Sequence, residues 1–143
     1  MKNMQQLKLD NQLCFPVYAL SKEIINWYRP LLDKLDVTYP QYLVLMVLWE
    51  HQEQSVSQLG EKLYLDSGTL TPLLKRLELK KIVIRERSKE DERIVKIRLT
   101  SEGEKLQKKA ASIPKQFLKN MKIPREELIQ LKKITEKILT TLN

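Results

Sequence analysis

Apolar positions fall at three- and four-residue spacing through most of the chain and at two-residue spacing only in its middle, which predicts helices at both ends of a small β element. In residues 7–35, Leu13, Val17, Leu20, Ile24 and Trp27 keep the helical interval. Pro16 is out of place deep in a helix but fits a first turn, so this helix starts between Leu13 and Phe15 and leaves Cys14 at its N-terminal end. Pro30 is expected to end or kink it near Tyr28 or Arg29. Thr38 can cap a second helix that opens on Pro40 and runs from Gln41 to Glu50. Its YLVLMVLW core is apolar on nearly every side, so this helix should lie at the centre of the fold. The polar stretch from His51 to Gln54 is read as a loop. Ser55 followed by Gln58 forms a capping box for a short helix to Leu63, and Tyr64-Leu65 turn the chain.

The next stretch, Asp66 to Lys80, has two contrasting faces. Asp66 is a suitable N-cap, and Leu70, Leu73, Leu74 and Leu77 form one buried stripe. Ser67, Thr69, Thr71, Lys75 and Arg76 fall outside it, with short hydroxyls at the N-terminal end and cations further along. Such a face suits a helix whose start meets base edges while later turns meet phosphates. It also suits an ordinary solvated surface, and the flanking elements decide between the two. A short helix and a tight turn precede it, making a helix-turn-helix. Two β-rich runs, Ile82–Arg87 and Ile94–Leu99, follow it and pair as a hairpin. Their charged link, Ser88 to Arg93, cannot be buried, so the hairpin projects as a wing with Arg85 on its first strand and Lys89, Asp91 and Arg93 near its tip. The fold class is mainly α with a small β-hairpin wing: a winged helix-turn-helix with additional helices at both ends.

Thr100 or Ser101 caps a helix reaching about Ser112, where Pro114 is expected to interrupt it. Beyond Ile123-Pro124, the residues Leu128, Leu131, Ile134, Ile138 and Leu142 form one stripe in a lysine-rich segment. A stripe outside the winged core needs a partner, and a two-fold copy of the chain is the expected one. The 143 residues, 42% of them hydrophobic, are therefore read as a single domain. Residues 36–112 would form the winged helix-turn-helix, and residues 1–35 and 113–143 the dimerisation helices.

Charge adds a permission rather than a location. The net charge is +8, with 11 basic and 7 acidic residues in 55–100 and 10 and 5 in 101–143. No run approaches a membrane span and the N-terminus has no signal-like segment, so a cytoplasmic protein is expected. One cysteine excludes an intrachain disulfide, and a lone histidine, His51, argues against zinc and histidine-based catalysis. No cofactor is implied.

The order of elements, the run LGEKLYLDSGTLTPLLKRLE, a wing reading Asp91-Glu92-Arg93 and its close at Leu99-Thr100 together resemble the MarR family of dimeric winged-helix regulators, over essentially the whole chain. Leu13-Cys14-Phe15, Tyr39-Pro40-Gln41 and LDSGTLTPLLKRLE resemble more narrowly the organic hydroperoxide resistance regulators within it. That resemblance implies a sensing cysteine, here Cys14, whose sulfur receives hydrogen bonds from tyrosines of the other subunit, here Tyr28 and Tyr39. Pro16 departs from the small residue of that branch. At the wing, Arg93 is expected to reach the minor groove while Asp91 holds its guanidinium or the wing backbone.

Cysteine is more often an inert core residue than a sensor, and buried phenols usually anchor on backbone, the default for Tyr18, Tyr42 and Tyr64. A first-turn position with hydroxyl donors nearby favours the thiolate instead. The expected function is a non-enzymatic, homodimeric repressor of a pseudo-palindromic double-stranded DNA operator. An organic hydroperoxide would oxidise Cys14, a small thiol could cap it as a mixed disulfide, and the operator would be released. The alternatives are release by a small phenolic or lipophilic ligand with Cys14 inert, a one-cysteine global redox regulator of the MgrA and SarZ kind, and, in a different class, a one-cysteine peroxidase.

Overall fold

The computed structural model describes residues 4–142, which form two compact units, one up to Ser112 and one from Ile113 onward. In the first unit two 3-10 turns, Gln5–Leu7 and Leu9–Asn11, lead into helix α1, Cys14–Asp33. The helix starts where Pro16 allows, with Cys14 as its first residue. It does not end at Pro30. The missing amide costs a hydrogen bond only to the carbonyl of Asn26, and burial of Leu32 holds the final turn in place. Asp36 then adopts a left-handed conformation with φ 54°, and the amide of Val37 donates to the carbonyl of Leu32, closing the helix.

Helix α2, Tyr39–His51, is capped as its sequence requires: Thr38 Oγ1 accepts from the amide of Gln41, and Gln41 Oε1 accepts from the amide of Thr38. This pair also accounts for Gln41, a buried polar side chain in an otherwise apolar core. Tyr42, Val44, Leu45 and Leu48 are buried, and α2 packs against α1 as well as the elements that follow it. His51 closes this helix rather than lying in a loop. The residues after it are not a loop either: Glu53–Ser55 form a strand, β1.

Ser55 and Gln58 cap helix α3, Val56–Leu63, reciprocally. Tyr64, left-handed at φ 57°, turns the chain into helix α4, Ser67–Leu79, where Asp66 Oδ1 accepts from the amide of Thr69 at 2.7 Å. A β-carbon on Gly60 would sit 2.7 Å from the carbonyl oxygen of Leu65, so the close approach of this turn requires glycine there. The stripe Leu70, Leu73, Leu74, Leu77 is buried together with Leu59 of α3. Strands β2, Val83–Arg87, and β3, Val95–Leu99, pair antiparallel with Val83 opposite Leu99 and Arg87 opposite Val95. β1 adds to the other edge of β3, Glu53 opposite Arg98, giving the order β1-β3-β2. Thr100 caps helix α5, Ser101–Ala110, through the amide of Gly103.

The expected interruption is present: α5 ends at Ala110, and Pro114 lies in the first turn of a new helix, α6, Ile113–Lys119. Helix α7, Arg125–Leu142, follows Pro124 and carries the expected stripe, with Leu131, Ile134, Ile138 and Leu142 exposed.

Candidate nucleic-acid interface and thiol site

Because the leucine stripe fixes the rotation of α4, the opposite face is set by elimination. Ser67, Thr69, Lys75 and Arg76 are exposed on it, while Thr71 is half-buried against the edge of the stripe. Asp66 is exposed but occupied as the cap, so it orders the first turn, where free amides and the positive helix end face outward. Hydroxyls at the start of the helix and cations a turn or two later form a polar, basic ridge.

The wing is ordered by side chains as well as by its ladder. Asp91 Oδ1 accepts from both the amide and Nε of Arg93 at 3.1 Å, and its Oδ2 accepts from Nη2 at 3.2 Å. The carboxylate thus holds the guanidinium and the wing backbone together. The Arg93 side-chain hydrogen bonds, reinforced by the Arg93 amide, keep the Asp91 carboxyl below its usual range. The Arg93 side chain remains 90% exposed despite this clamp. Arg87 Nη1 donates to the carbonyl of Glu92, and the amide of Ser88 to that of Ile94, closing the loop around an exposed Lys89. Arg85 differs: it is half-buried on β2, with Nη1 3.7 Å from Oε1 of Glu78.

Cys14 is exposed. Tyr28 and Tyr39 are brought together, with ring centroids 4.8 Å apart, and Tyr42 joins them at 5.9 and 6.3 Å. Sequence reasoning treats Tyr42 as an ordinary core phenol; its position three residues after Tyr39, one helical turn away, is the available signal. Burial, with the neighbouring phenols adding to it, pushes Tyr28 up to about 12, and burial likewise raises Tyr39 and Tyr42. All three stay neutral near pH 7 and keep a hydroxyl proton to donate.

Cys14 and Tyr28 share α1 but are fourteen positions apart, about 21 Å along the axis and within about 40° of the same face. They cannot meet within one helix. The same helix exposes Phe15, Val17, Tyr18 and Trp27, and Leu13 just before it is exposed too, more apolar surface than an isolated solvated helix carries.

A helix-turn-helix with a basic outer face and an ordered cationic wing defines the winged-helix class of DNA-binding transcriptional regulators. A family model described as transcriptional regulator SarA/Rot matches residues 26–110. The organic hydroperoxide resistance transcriptional regulator of Bacillus subtilis (strain 168) is 53% identical over 137 residues, covering 96% of this chain and 93% of that one. The regulator SarZ of Staphylococcus epidermidis is 44% identical over 83% of this chain and 80% of its own. Among solved structures, reduced AbfR bound to DNA superposes with a TM-score of 0.81 at 38% identity, covering 97% of this chain and 95% of that one. The chain belongs to the MarR family of winged-helix regulators, in the branch of the organic hydroperoxide resistance regulators.

Proposed function

We propose that the chain is a homodimeric repressor that holds a pseudo-palindromic DNA operator while Cys14 is reduced and releases it when an organic hydroperoxide oxidises that thiol. The observation that supports this reading is the placement of Cys14 at the start of α1 and of Tyr28 toward its other end, near the same face, with Tyr39 of α2 packed against Tyr28. A two-fold axis across that helix assembles two thiol sites, each with a cysteine from one subunit and phenol donors from the other. Single-chain geometry supplies neither.

In the chemistry that follows, the Cys14 thiolate attacks the distal oxygen of the hydroperoxide. The S–O bond forms, the O–O bond breaks, and the alkoxide leaves as alcohol after taking a proton, so sulfur is oxidised and the peroxide reduced. Tyr28 and Tyr39 donate hydrogen bonds to the thiolate. The resulting sulfenic acid condenses with a small thiol to give a mixed disulfide and water. One oxidation per thiol suffices for release and a reductant resets it, so the output is DNA release rather than peroxide removal, which separates this reading from a peroxidase.

At the operator, the hydroxyl-bearing start of α4 reads base edges through Ser67 and Thr69, with Thr71 at the margin. Lys75, Arg76 and Lys89 contact phosphates, and Arg93, steadied by Asp91, enters the minor groove. Asp66 caps the reading helix, and Arg85 supports it from the wing. Residues 36–112 form the DNA-binding part, residues 1–35 and 113–143 the dimer contact, and the protein works in the cytoplasm.

The test is a gel shift on duplex DNA selected from a random pool by the reduced protein. Cumene hydroperoxide should release the duplex, and dithiothreitol should restore binding. Release by a salicylate-like compound with no response to hydroperoxide would replace this reading with a ligand-responsive repressor.

A further inference from the structure

Two helix C-termini meet at one lysine. Helix α4 ends with Lys80 as its cap and Lys81 left-handed at φ 62°, the amide of Ile82 donating back to the carbonyl of Leu77. Helix α1 ends with Asp36 left-handed and Val37 bonded back to Leu32. The Nζ of Lys80 donates to the carbonyl oxygen of Asp36 at 2.5 Å and lies 3.5 Å from its Oδ2. One ammonium therefore ties the residue that caps the recognition helix to the turn that follows the helix bearing Cys14. Asp36 is three residues from Tyr39, and Thr38 between them is fixed by its capping box with Gln41. On the other side of the same turn of α4, Glu78 meets Arg85 of the wing strand at 3.7 Å.

We propose that Lys80 is the positioning residue that couples the tyrosine corner to the DNA-reading helix. This rests on the redox reading above. A displacement of α1 or of the Tyr28–Tyr39 pair moves the short segment Asp36–Thr38, and the Lys80 bond to the Asp36 carbonyl carries that movement into the last turn of α4. Through Glu78 and Arg85 the same turn bears on the wing, so both DNA-contacting elements receive it. Exposed ion pairs contribute little to stability, and Lys80 is accordingly assigned a role in the response rather than in holding the fold.

The experiment compares wild type, Lys80→Met and Lys80→Arg as full chains on the selected duplex, reduced and after cumene hydroperoxide, with the oxidation of Cys14 followed by mass spectrometry. Thermal unfolding and dimer mass are recorded for each. In wild type, oxidation should weaken binding by at least about tenfold, within the usual range of allosteric coupling. In Lys80→Met, Cys14 should be oxidised to the same extent while the weakening falls below about threefold, and Lys80→Arg should restore most of it. Lys80→Gln, which keeps a polar cap, repeats the measurement if the methionine variant folds poorly. A responsive wild type matched by an equally responsive Lys80→Met overturns the coupling role alone; a wild type indifferent to the hydroperoxide overturns the redox reading and the coupling role with it.

Discussion

Replacing Arg93 by alanine removes the guanidinium that the wing presents to solvent. Its side chain is 90% exposed, yet two of its N–H groups already face Asp91 at 3.1 and 3.2 Å. A free arginine loses up to about 2 kcal/mol of rotamer entropy on being ordered. The Asp91 clamp meets part of that cost before DNA arrives, so a larger share of the proposed groove contact would appear as affinity. With a contact of ordinary strength, Arg93→Ala should weaken operator binding by about 1–3 kcal/mol, roughly 5- to 150-fold. Loss of one cation should also flatten the salt dependence by about one unit of slope. Arg93→Lys should keep the slope but lose affinity, because an ammonium cannot hold the fork to Asp91. Fluorescence anisotropy across a salt series measures both quantities, with dimer mass as the control. Unchanged affinity in an intact Arg93→Ala dimer would return the wing to a solvated turn and refute the minor-groove assignment.

Tyr39→Phe removes one phenol donor and should slow oxidation of Cys14 by hydroperoxide by roughly tenfold, the kinetic equivalent of one hydrogen bond to a charged sulfur; stopped-flow mixing with mass-spectrometric readout measures this, and an unaltered rate removes Tyr39 from the site. Tyrosinate absorbance should show Tyr28 titrating near pH 12, above the ordinary value of a phenol. Because its folded value lies above the ordinary one near 10, the stability it contributes is complete below pH 10 and is lost as pH rises toward 12, so unfolding midpoints that stay flat across that window would contradict the buried cluster. Gly103→Ala should destabilise despite alanine's better helix propensity, because its β-carbon would overlap the carbonyl oxygen of Ile82. A loss of about 1–3 kcal/mol by denaturant unfolding is expected, and a gain would show that α5 shifts freely.

Local chemistry made most of the helix boundaries legible. Thr38 with Gln41, Ser55 with Gln58, Asp66 and Thr100 each satisfy amides within three residues, so their capping roles are readable without the fold. The leucine stripe of α4 fixed its outer face in the same way, although Thr71 lies near enough to the stripe to be half covered. Features that depend on a distant partner were not legible. Strand β1 is three polar residues whose only reason to be extended is the edge of β3, more than forty positions away. Pro30 gave a correct local signal that the burial of Leu32 outweighed. Tyr28 and Tyr39 were singled out by resemblance; their ring contact, the addition of Tyr42 and the bond from Lys80 to Asp36 required coordinates.

If one thiol controls DNA binding, Cys14→Ser separates that control from the fold. Serine keeps the size and first-turn position of the side chain but cannot form a sulfenic acid. On the selected duplex, reduced wild type and Cys14→Ser should bind with equal affinity, and cumene hydroperoxide should release the wild type while leaving the serine variant bound. A Cys14→Ser protein that still leaves the duplex on treatment would show that the switch lies elsewhere than in this thiol.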